Sequence, residues 1–404
     1  MAEINETAVE EKVGLGKELL TLAKKNLRDY MMYIVLLVII AFFTSRTDGK
    51  FITALNISNL FNQAAYVAVL AIGMTLILIL RQIDLSVGYV AGFSGAIAAI
   101  LLEKVGLPVG LVIPLVLIVG LIIGLYQGML VTRVGVPAFV ATLAGMFIFR
   151  GLLGVTTSKL GGTIVIKDEI FIALNNGFIP DFGGNHSFHL VTMIIGIIGA
   201  CMVVYSQIKA RRNKEKYNFK VVSLPIFITM LILISAVIMV IVTVLAKWKG
   251  IPWSAVIVGV ILLAYNFMLN KTKLGRYIYG IGGNDQAAEL SGVNVKNVIL
   301  FAFCSMGTLA ALAGMLYSSR LSSATPSAGA AFEMDAIASS YIGGVAVSGG
   351  VGKVTNTIIG TLVIVSLTNG MNLMGVDTFM QYVVKGIIFI LAVAFDVRTR
   401  KKAR

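Results

Sequence analysis

Residues 221–245 read VVSLPIFITMLILISAVIMVIVTVL, and no side chain in this run is charged. A helix that crosses the hydrocarbon core of a bilayer needs about 20 predominantly apolar residues, so the run predicts a membrane-spanning helix. The rest of the chain has the same character, since 58% of its 404 residues are hydrophobic and 13% are charged. A soluble domain usually carries about 25% charged residues. The composition therefore excludes a soluble enzyme and predicts a membrane protein.

Eleven further apolar runs lie along the chain. The one at 335–347 is short, and we interpret it as a broken or half-span helix. Together the runs predict an all-α polytopic membrane protein with about 10–12 transmembrane helices, including broken or half-span helices. The further runs cover residues 30–44, 63–80, 88–102, 109–131, 138–155, 190–206, 254–269, 298–317, 335–347, 354–374 and 378–396.

The distribution of basic residues predicts the orientation. The chain carries 33 Lys and Arg against 19 Asp and Glu, a net charge of +14. If the amino terminus is inside and the chain alternates across twelve spans, 23 of these basic residues fall in inside loops and 8 in outside loops. Cytoplasmic loops carry the excess of Lys and Arg, so both termini are predicted to be cytoplasmic. The basic charge is then an orientation signal, and no soluble basic face remains to bind nucleic acid.

Residues 270–297 form an inside loop whose order of residues predicts a short helix. Three glycines between positions 280 and 283 interrupt the preceding segment, and residues 284–291 read NDQAAELS. Asn284 is a favourable N-cap, and Gly292 is a favourable C-terminal stop. Such a helix in a cytoplasmic loop suits docking into a groove on a partner. The alternative is a surface helix that has no partner.

Two glycine-flanked polar stretches lie at membrane depth, residues 81–88 (RQIDLSVG) and 341–352 (YIGGVAVSGGVG). Irregular backbone near the hydrocarbon must be buried in protein or line a wet cavity. We interpret Asp84, Ser86 and Ser348, with the glycines around Ser348, as candidates for the route of a polyhydroxylated solute. The alternative is that both stretches are tight turns between helices and that Asp84 caps the next helix.

Charged side chains within the apolar runs are few. Arg150 and Lys385 lie inside runs, and Asp84 lies at the edge of one. Because proton relays are built from intramembrane carboxylates and histidines, a proton-driven carrier is poorly supported. The two histidines are too few for a histidine metal site. The glycines before Lys353 fail the phosphate-binding pattern, since Val354 replaces its hydroxyl residue. We therefore expect this chain to bind no metal, cofactor or nucleotide.

One apolar run carries small residues at helix-packing spacing. Gly120, Gly124 and Gly128 form two overlapping G-x-x-x-G units in the run at 109–131. Such a face lets two helix backbones approach closely. We interpret it as internal packing, and a seam between two copies of the chain is the alternative.

A set of short segments carries a family resemblance when it is taken in order. The segments are residues 83–88 with the glycine- and alanine-rich 91–100, 137–143 (PAFVATL), 150–152, 275–277, 282–284, 287–288, 291–293, 335–338 (DAIA), 343–352 and 385–386. Their order and spacing resemble the permeases of bacterial ABC importers for ribose, galactose, xylose and arabinose. The match runs from the second span to the end, except for the basic connector at 207–220 and the helices beside it. That additional helical pair is similar to the xylose and multiple-sugar branch.

The resemblance implies a permease that pairs as a homodimer and encloses a translocation path. An extracytoplasmic sugar-binding protein would deliver a monosaccharide, and ABC ATPase domains, commonly a tandem pair, would bind the cytoplasmic face and hydrolyse ATP. The permease itself would be non-catalytic, and it would lie in the bacterial cytoplasmic (inner) membrane as a multi-pass protein. Sugar selectivity would reside mainly in the binding protein. The rival interpretations are a secondary sugar carrier and a membrane scaffold or receptor.

The resemblance also implies site residues. The family's ATPase-coupling helix matches Asn284, Asp285, Gln286, Ala287, Ala288, Glu289, Leu290, Ser291 and Gly292. The family usually has a glutamate where this chain has Gln286, so one charge is missing from the docking surface. The candidates for the translocation path are Asp84, Ser86, Gly343, Gly344, Ser348, Gly349 and Gly350. The intramembrane charges are Arg150 and Lys385.

Three regions are expected along the chain. Residues 1–29 form an amphipathic cytoplasmic lead-in whose basic residues suit the anionic inner leaflet of the bilayer. Residues 30–397 form the transmembrane permease domain, which includes the coupling loop 270–297. Residues 398–404 form a basic cytoplasmic tail.

Overall fold

The computed structural model describes residues 27–182, 188–219 and 221–402. These residues contain α1 (Leu27–Arg46), α2 (Ala54–Ile79), α3 (Val87–Glu103), α4 (Val109–Met129), α5 (Ala138–Ser158), α6 (Glu169–Asn176), α7 (Leu190–Lys216), α8 (Leu224–Ala246), α9 (Trp253–Lys271), α10 (Lys273–Gly283), α11 (Asp285–Leu290), α12 (Val295–Leu321), α13 (Phe332–Ile342), α14 (Val354–Leu373) and α15 (Thr378–Lys402). A 3₁₀ turn follows α1 at Lys50–Ile52, and a π-helical turn follows α4 at Leu130–Val134. Two short strands, β1 (Ile164–Val165) and β2 (Ser323–Ala324), pair antiparallel.

The twelve apolar runs each coincide with one helix, which confirms the prediction of an all-α polytopic membrane protein. Eight helices of the described residues are long and apolar enough to cross a membrane. Three further apolar helical stretches are shorter, at Met31–Arg46, Val87–Glu103 and Thr378–Leu391. Helix α13 has 11 residues and is therefore about 16 Å long. The interpretation of the run at 335–347 as a half-span helix is confirmed.

The two ends of the chain are only partly described. Residues 1–26, which make up most of the predicted lead-in, lie outside the described residues. The predicted tail at 398–404 is described as far as Lys402, where it continues α15.

Contacts between loops agree with a chain that alternates across the membrane. At the end assigned to the cytoplasm, Arg133 donates a hydrogen bond to Asn297 over 2.8 Å. At the opposite end, β1 pairs with β2, and the Glu103 side chain accepts a 2.6 Å hydrogen bond from the Lys167 backbone N–H. These contacts join loops that the sequence places on the same side. Which side is cytoplasmic follows from the distribution of Lys and Arg.

Helix α2 is the centre of the fold. Its residues from Asn62 to Ile79 are buried, and α9, α12, α13 and α14 pack around it. Three aromatic rings join α2 to α12 and α13, because Tyr66, Tyr317 and Phe332 have ring centroids 4.8–5.1 Å apart. Offset and edge-to-face rings at such distances stabilise packing beyond the area they bury. The half-span helix is thus held within the bundle.

The glycines of α4 face α12. A Cβ atom at Gly307 would overlap the carbonyl oxygen of Gly120 and the backbone of Gly124, and a Cβ at Gly128 would contact Leu300 and Phe303. The interpretation of the G-x-x-x-G face as internal packing is therefore confirmed. The face is covered by the same chain, which leaves no room for a second copy there.

Helices α7 and α8 form a hairpin at the edge of the bundle. They pack mainly on each other, and a Cβ at Gly196 would overlap the Val242 side chain. Large apolar side chains on the hairpin are exposed, among them Met202, Ile232 and Leu233. Exposed apolar surface of this extent belongs in lipid. The hairpin is the additional helical pair noted from the sequence.

Replacing Gly307 with leucine should destabilise the bundle. The new side chain has no space between α12 and α4, and overpacking of this kind commonly costs about 1–3 kcal/mol. We expect a lower melting temperature of the purified, detergent-solubilised protein. The matched control is Gly259→Leu in α9, where a Cβ has no neighbour within 4 Å. Equal melting temperatures for the two variants would contradict this account of α4–α12 packing.

Candidate functional site

The short helix predicted in the cytoplasmic loop is present as α11. The Asn284 side chain accepts a 3.0 Å hydrogen bond from the backbone N–H of Ala287, so Asn284 is the N-cap, as predicted. Gly292 adopts a φ of +82°, and its N–H donates to the carbonyl of Glu289 over 2.9 Å. A left-handed residue after a helix is a common stop, and glycine adopts it without strain.

Helix α11 exposes most of its side chains. No α11 residue is buried, and the Leu290 side chain is 90% exposed. Asp285, Gln286 and Glu289 are exposed beside it, whereas Ala288 is half-buried and packs on the chain's own core. The outward surface of α11 therefore combines one large apolar side chain with polar ones.

Glycine packing attaches α11 to the bundle. The last turn of α10, which precedes α11, lies so close to α2 that a Cβ at Gly282 would overlap the Ile79 carbonyl oxygen and the Gly350 backbone. The Gly350 N–H donates a 2.9 Å hydrogen bond to that same Ile79 carbonyl. The α10–α11 junction, the end of α2 and the 348–350 turn thus touch one another directly.

One arginine completes this contact. Arg81 follows α2 with a φ of +60°, and its Nε donates to the carbonyl of Ser348 over 2.8 Å. Its Nη2 donates to the carbonyl of Gly283 over 2.6 Å. We call these two hydrogen bonds the arginine bridge. Since the hydrogen bonds come from a charged donor, they are stronger than neutral ones, and they tie the segment before α11 to the segment after α13.

The other candidate residues of the 81–88 stretch form a buried polar network. Asp84 and Ser86 are 2% and 0% exposed. The Asp84 Oδ1 accepts from the Ser86 backbone N–H over 2.9 Å and from the Ser86 hydroxyl over 2.6 Å. Gln127 of α4 donates to that hydroxyl over 2.8 Å. The N-cap of α3 is Ser86, which makes no side-chain cap hydrogen bond, so Asp84 is not the cap itself. Its contacts with Ser86 close a tight turn just before α3.

Neither Arg81 nor Arg150 pairs with Asp84. Arg81 forms the arginine bridge, and the guanidinium carbon of Arg150 lies 5.6 Å from the centroid of the Tyr89 ring. Arg150 is an exposed residue of α5. The structure therefore does not bring the predicted intramembrane charges together at Asp84.

Helices α3 and α13 begin against each other. A Cβ at Gly88 would overlap the Gly329 carbonyl oxygen and the Glu333 carboxylate. Arg81 lies at the end assigned to the cytoplasm, and residues 81–88 run from there into the bundle before α3 begins. The residues between β2 and α13 run from the opposite end to the same point. We call the contact of Gly88 with Gly329 and Glu333 the re-entrant junction.

The sequence interpretation of the intramembrane charges named Arg150, Lys385 and Asp84. It did not include Glu333 and Asp335. Both missed residues lie in the first turn of α13, inside the bundle. Glu333 is 7% exposed, and its Oε2 has no hydrogen-bond partner among the described residues. Acidic residues are favoured in the first turn of a helix by its dipole, which offers one reason for their presence there.

Lys385 has a partner on α13. Its Nζ lies 3.0 Å from both carboxylate oxygens of Asp335, and the two side chains are 19% and 16% exposed. The ion pair joins α15 to the half-span helix. Opposite charges in a membrane segment commonly pair in this way, because an isolated charge is costly there.

Comparisons with known proteins agree with this architecture. The family model described as "Branched-chain amino acid transport system / permease component" matches residues 56–393. The chain belongs to this permease family. The xylose transport system permease protein XylH of Haemophilus influenzae is 38% identical to the permease over 382 residues, 93% of this chain and 98% of that protein. XylH of Escherichia coli is 36% identical over 404 residues, and both chains are covered completely.

The permease also resembles a ribose transporter. The ribose import permease protein RbsC of Escherichia coli is 33% identical over 375 residues, 92% of this chain and 95% of that protein. The resemblance to xylose and ribose permeases inferred from the sequence is confirmed. No solved structure shows a significant match to the permease.

Replacing Arg81 with methionine should loosen the segment that carries α11. The substitution removes both hydrogen bonds of the arginine bridge and leaves the Gly283 and Ser348 carbonyls to water. We expect faster hydrogen–deuterium exchange at residues 280–292 and 345–352 than in the unmodified permease. The control is Arg276→Met, which removes an exposed charge from α10. Exchange that is the same in both variants would contradict a stabilising role for the bridge.

Proposed function

We propose that this permease is the membrane subunit of an ATP-binding-cassette importer in a bacterial cytoplasmic (inner) membrane. Its substrate is a monosaccharide of the xylose, ribose, galactose or arabinose type. The observation that carries the proposal is the similarity to xylose transport permeases over their full length. The polytopic fold, with its exposed capped helix at the cytoplasmic end, supports the same assignment.

ATP hydrolysis belongs to a partner ATPase. The glycine-rich stretch before Lys353 fails the phosphate-binding pattern, and its backbone is engaged in packing. Gly350 contacts Gly282 and Ile79, and the Gly352 carbonyl accepts a 2.7 Å hydrogen bond from the Tyr279 hydroxyl. A nucleotide phosphate needs free N–H groups in such a loop. The permease is then a non-catalytic subunit.

The partner ATPase, commonly a tandem pair of domains, docks on α11. A short helix that presents an apolar side chain suits a groove on another protein, and Leu290 is the most exposed apolar residue of α11. Gln286 is exposed on the same surface, so docking relies on Asp285 and Glu289 for its negative charge. Residues 284–292 form the coupling segment, within the permease domain at 30–397.

The arginine bridge provides a physical link from this docking helix to the candidate path. Gly283, next to α11, is hydrogen-bonded to Arg81, and Arg81 also holds Ser348. Asp84 and Ser86 follow Arg81 in sequence, and Gly343, Gly344, Gly349 and Gly350 flank Ser348. We assign these residues to the region that changes shape when the ATPase moves α11. The path itself is formed by two permease copies, and an extracytoplasmic sugar-binding protein supplies the sugar at the outer face.

A secondary sugar carrier is the rival function. Buried Glu333 and the Asp335–Lys385 pair are intramembrane ionisable groups of the kind that proton-coupled carriers use. Transport assays in proteoliposomes separate the two functions. We expect uptake of radiolabelled pentose to require the ATPase, the binding protein and ATP inside the vesicle. Uptake by the permease alone, driven by a pH gradient, would contradict the proposal.

Replacing Leu290 with arginine should separate the permease from its ATPase. The substitution puts a charge where a partner's groove would bury an apolar side chain, and an unpaired buried charge is costly. We expect co-purification of the ATPase and ATP-dependent uptake to fall by about tenfold or more, with normal membrane insertion. The control is Tyr217→Arg, an exposed aromatic residue after α7 at the same end of the molecule. Unchanged co-purification in Leu290→Arg would rule out α11 as the docking element.

A further inference from the structure

We propose that the Asp335–Lys385 ion pair binds the hydroxyl groups of the transported monosaccharide, at a lateral face of α13 and α15 that lines the path between two permease copies. This inference rests on the proposed function and adds to it a contact site for the sugar inside the membrane. The site lies apart from the residues of the arginine bridge and of the 81–88 stretch.

The ion pair borders a cavity of about 310 Å³. The cavity lies between α13, α14 and α15, and its lining includes Met334, Asp335, Tyr382, Lys385, Gly386 and Phe389. Pockets for small molecules commonly measure about 300–1,000 Å³, so the volume suits a single sugar ring. Both charged side chains keep part of their surface accessible, at 16% and 19%.

The cavity opens on the side of the molecule at the depth of the membrane. Lys385 lies seven residues after the outer end of α15, which is about 10 Å along the helix. Met334 and Tyr382 at the cavity are 58% and 47% exposed. Charged groups at this depth rarely face lipid and instead face a protein interior or a water-filled space. We therefore expect the pair to face protein or a water-filled path, which a second copy of the permease would enclose.

The chemistry of the lining matches a neutral polyol. The Asp335 carboxylate accepts hydrogen bonds from hydroxyls, and the Lys385 ammonium donates to them. Because the two charges compensate each other, hydroxyls can bridge the pair without leaving a net charge unpaired. The Tyr382 and Phe389 rings offer apolar surfaces on which the C–H groups of a sugar ring can pack. Only two groups are charged in this largely apolar lining, so binding is weak enough for the sugar to leave, as transport requires.

The competing account is a purely structural clasp between α13 and α15. A clasp needs the charges to pair but has no need of water or sugar access. Accessibility of a neighbouring side chain separates the accounts without disturbing the ion pair. Met334 is suitable because it is exposed and lines the cavity.

The first test uses Met334→Cys in a background where Cys201 and Cys304 are replaced by alanine. The complete transporter, with ATPase and binding protein, is treated with a membrane-impermeant, water-soluble thiol reagent. We expect labelling of the cysteine, and slower labelling when xylose is supplied together with ATP. A cysteine that the reagent cannot reach, or labelling that saturating xylose, ribose, galactose and arabinose all leave unchanged, would overturn the inference.

The second test neutralises the pair with the double substitution Asp335→Asn and Lys385→Met. Loss of charged hydrogen bonds to the sugar should lower uptake at limiting sugar by about tenfold. Binding-protein-stimulated ATP hydrolysis should persist, because α11 and the arginine bridge are untouched. The control is Lys247→Met, which removes an exposed lysine after α8. Normal uptake by the double variant would overturn the inference, as would equal losses of uptake and ATP hydrolysis in a folded variant.

Different results would contradict the proposed function and the assignment of the ion pair. If the unmodified transporter takes up no sugar with ATP, the proposed function is wrong. If it takes up sugar and the Met334→Cys labelling is insensitive to it, only the assignment of the ion pair is wrong.

Discussion

Backbone that leaves a helix inside a membrane protein needs hydrogen-bond partners from the protein itself, and Arg81 supplies two of them. Its guanidinium binds the carbonyls of Gly283 and Ser348, which lie far apart in sequence and belong to two different irregular segments. Without such a donor these carbonyls would rely on water at the edge of the bilayer. The positions of α11 and of the turn after α13 relative to α2 therefore depend on this side chain together with the Gly350–Ile79 hydrogen bond. The glycines around it are required because a Cβ at Gly282 would overlap the Ile79 carbonyl oxygen, and a Cβ at Gly349 would overlap the Arg81 side chain.

Close backbone approach also explains how two helices begin inside the bundle. Gly88 and Gly329 let the starts of α3 and α13 touch, and Gly329 adopts a φ of +87° that other residues rarely tolerate. The acidic residues of α13 lie near these helix starts, where the dipoles favour negative charge. The interior of the permease thus contains carboxylates that an isolated apolar helix would not accommodate. The helix dipoles and the positive charge of Lys385 on α15 compensate the negative charge of these carboxylates.

Local patterns predicted the fold well because its main signals are local. Apolar run length located the spans, and the Asn284 cap with the Gly292 stop located α11 within its loop. The half-span character of α13 followed from the shortness of its run.

Local patterns could not predict which distant residues bind each other. Examples are the hydrogen bonds of Arg81 with Gly283 and of Gln127 with Ser86, and the ion pair of Lys385 with Asp335. Glu333 was missed because the helix begins three residues before the apolar run. Asp335 was missed because it is the first residue of a run that was defined by its hydrophobic residues. That Leu290 is exposed while Ala288 packs on the core depends on how α11 contacts the bundle, which helix propensity does not encode.

The short helix α13 has a mechanical consequence. It is a segment of about 16 Å with the Ser348 turn beyond its cytoplasmic end and Asp335 in its first turn. A hydrogen-bonded helix resists compression along its axis, so it behaves as a rod on the scale of the movements that proteins make. The glycine turn below it is pinned to α2 by the Gly350–Ile79 hydrogen bond. A movement of that turn along the axis of α13 would therefore be carried directly to Asp335, without a chain of side-chain contacts between the two. Helix α13 is thus a rigid segment that connects the glycine turn at one end to the Asp335–Lys385 pair at the other.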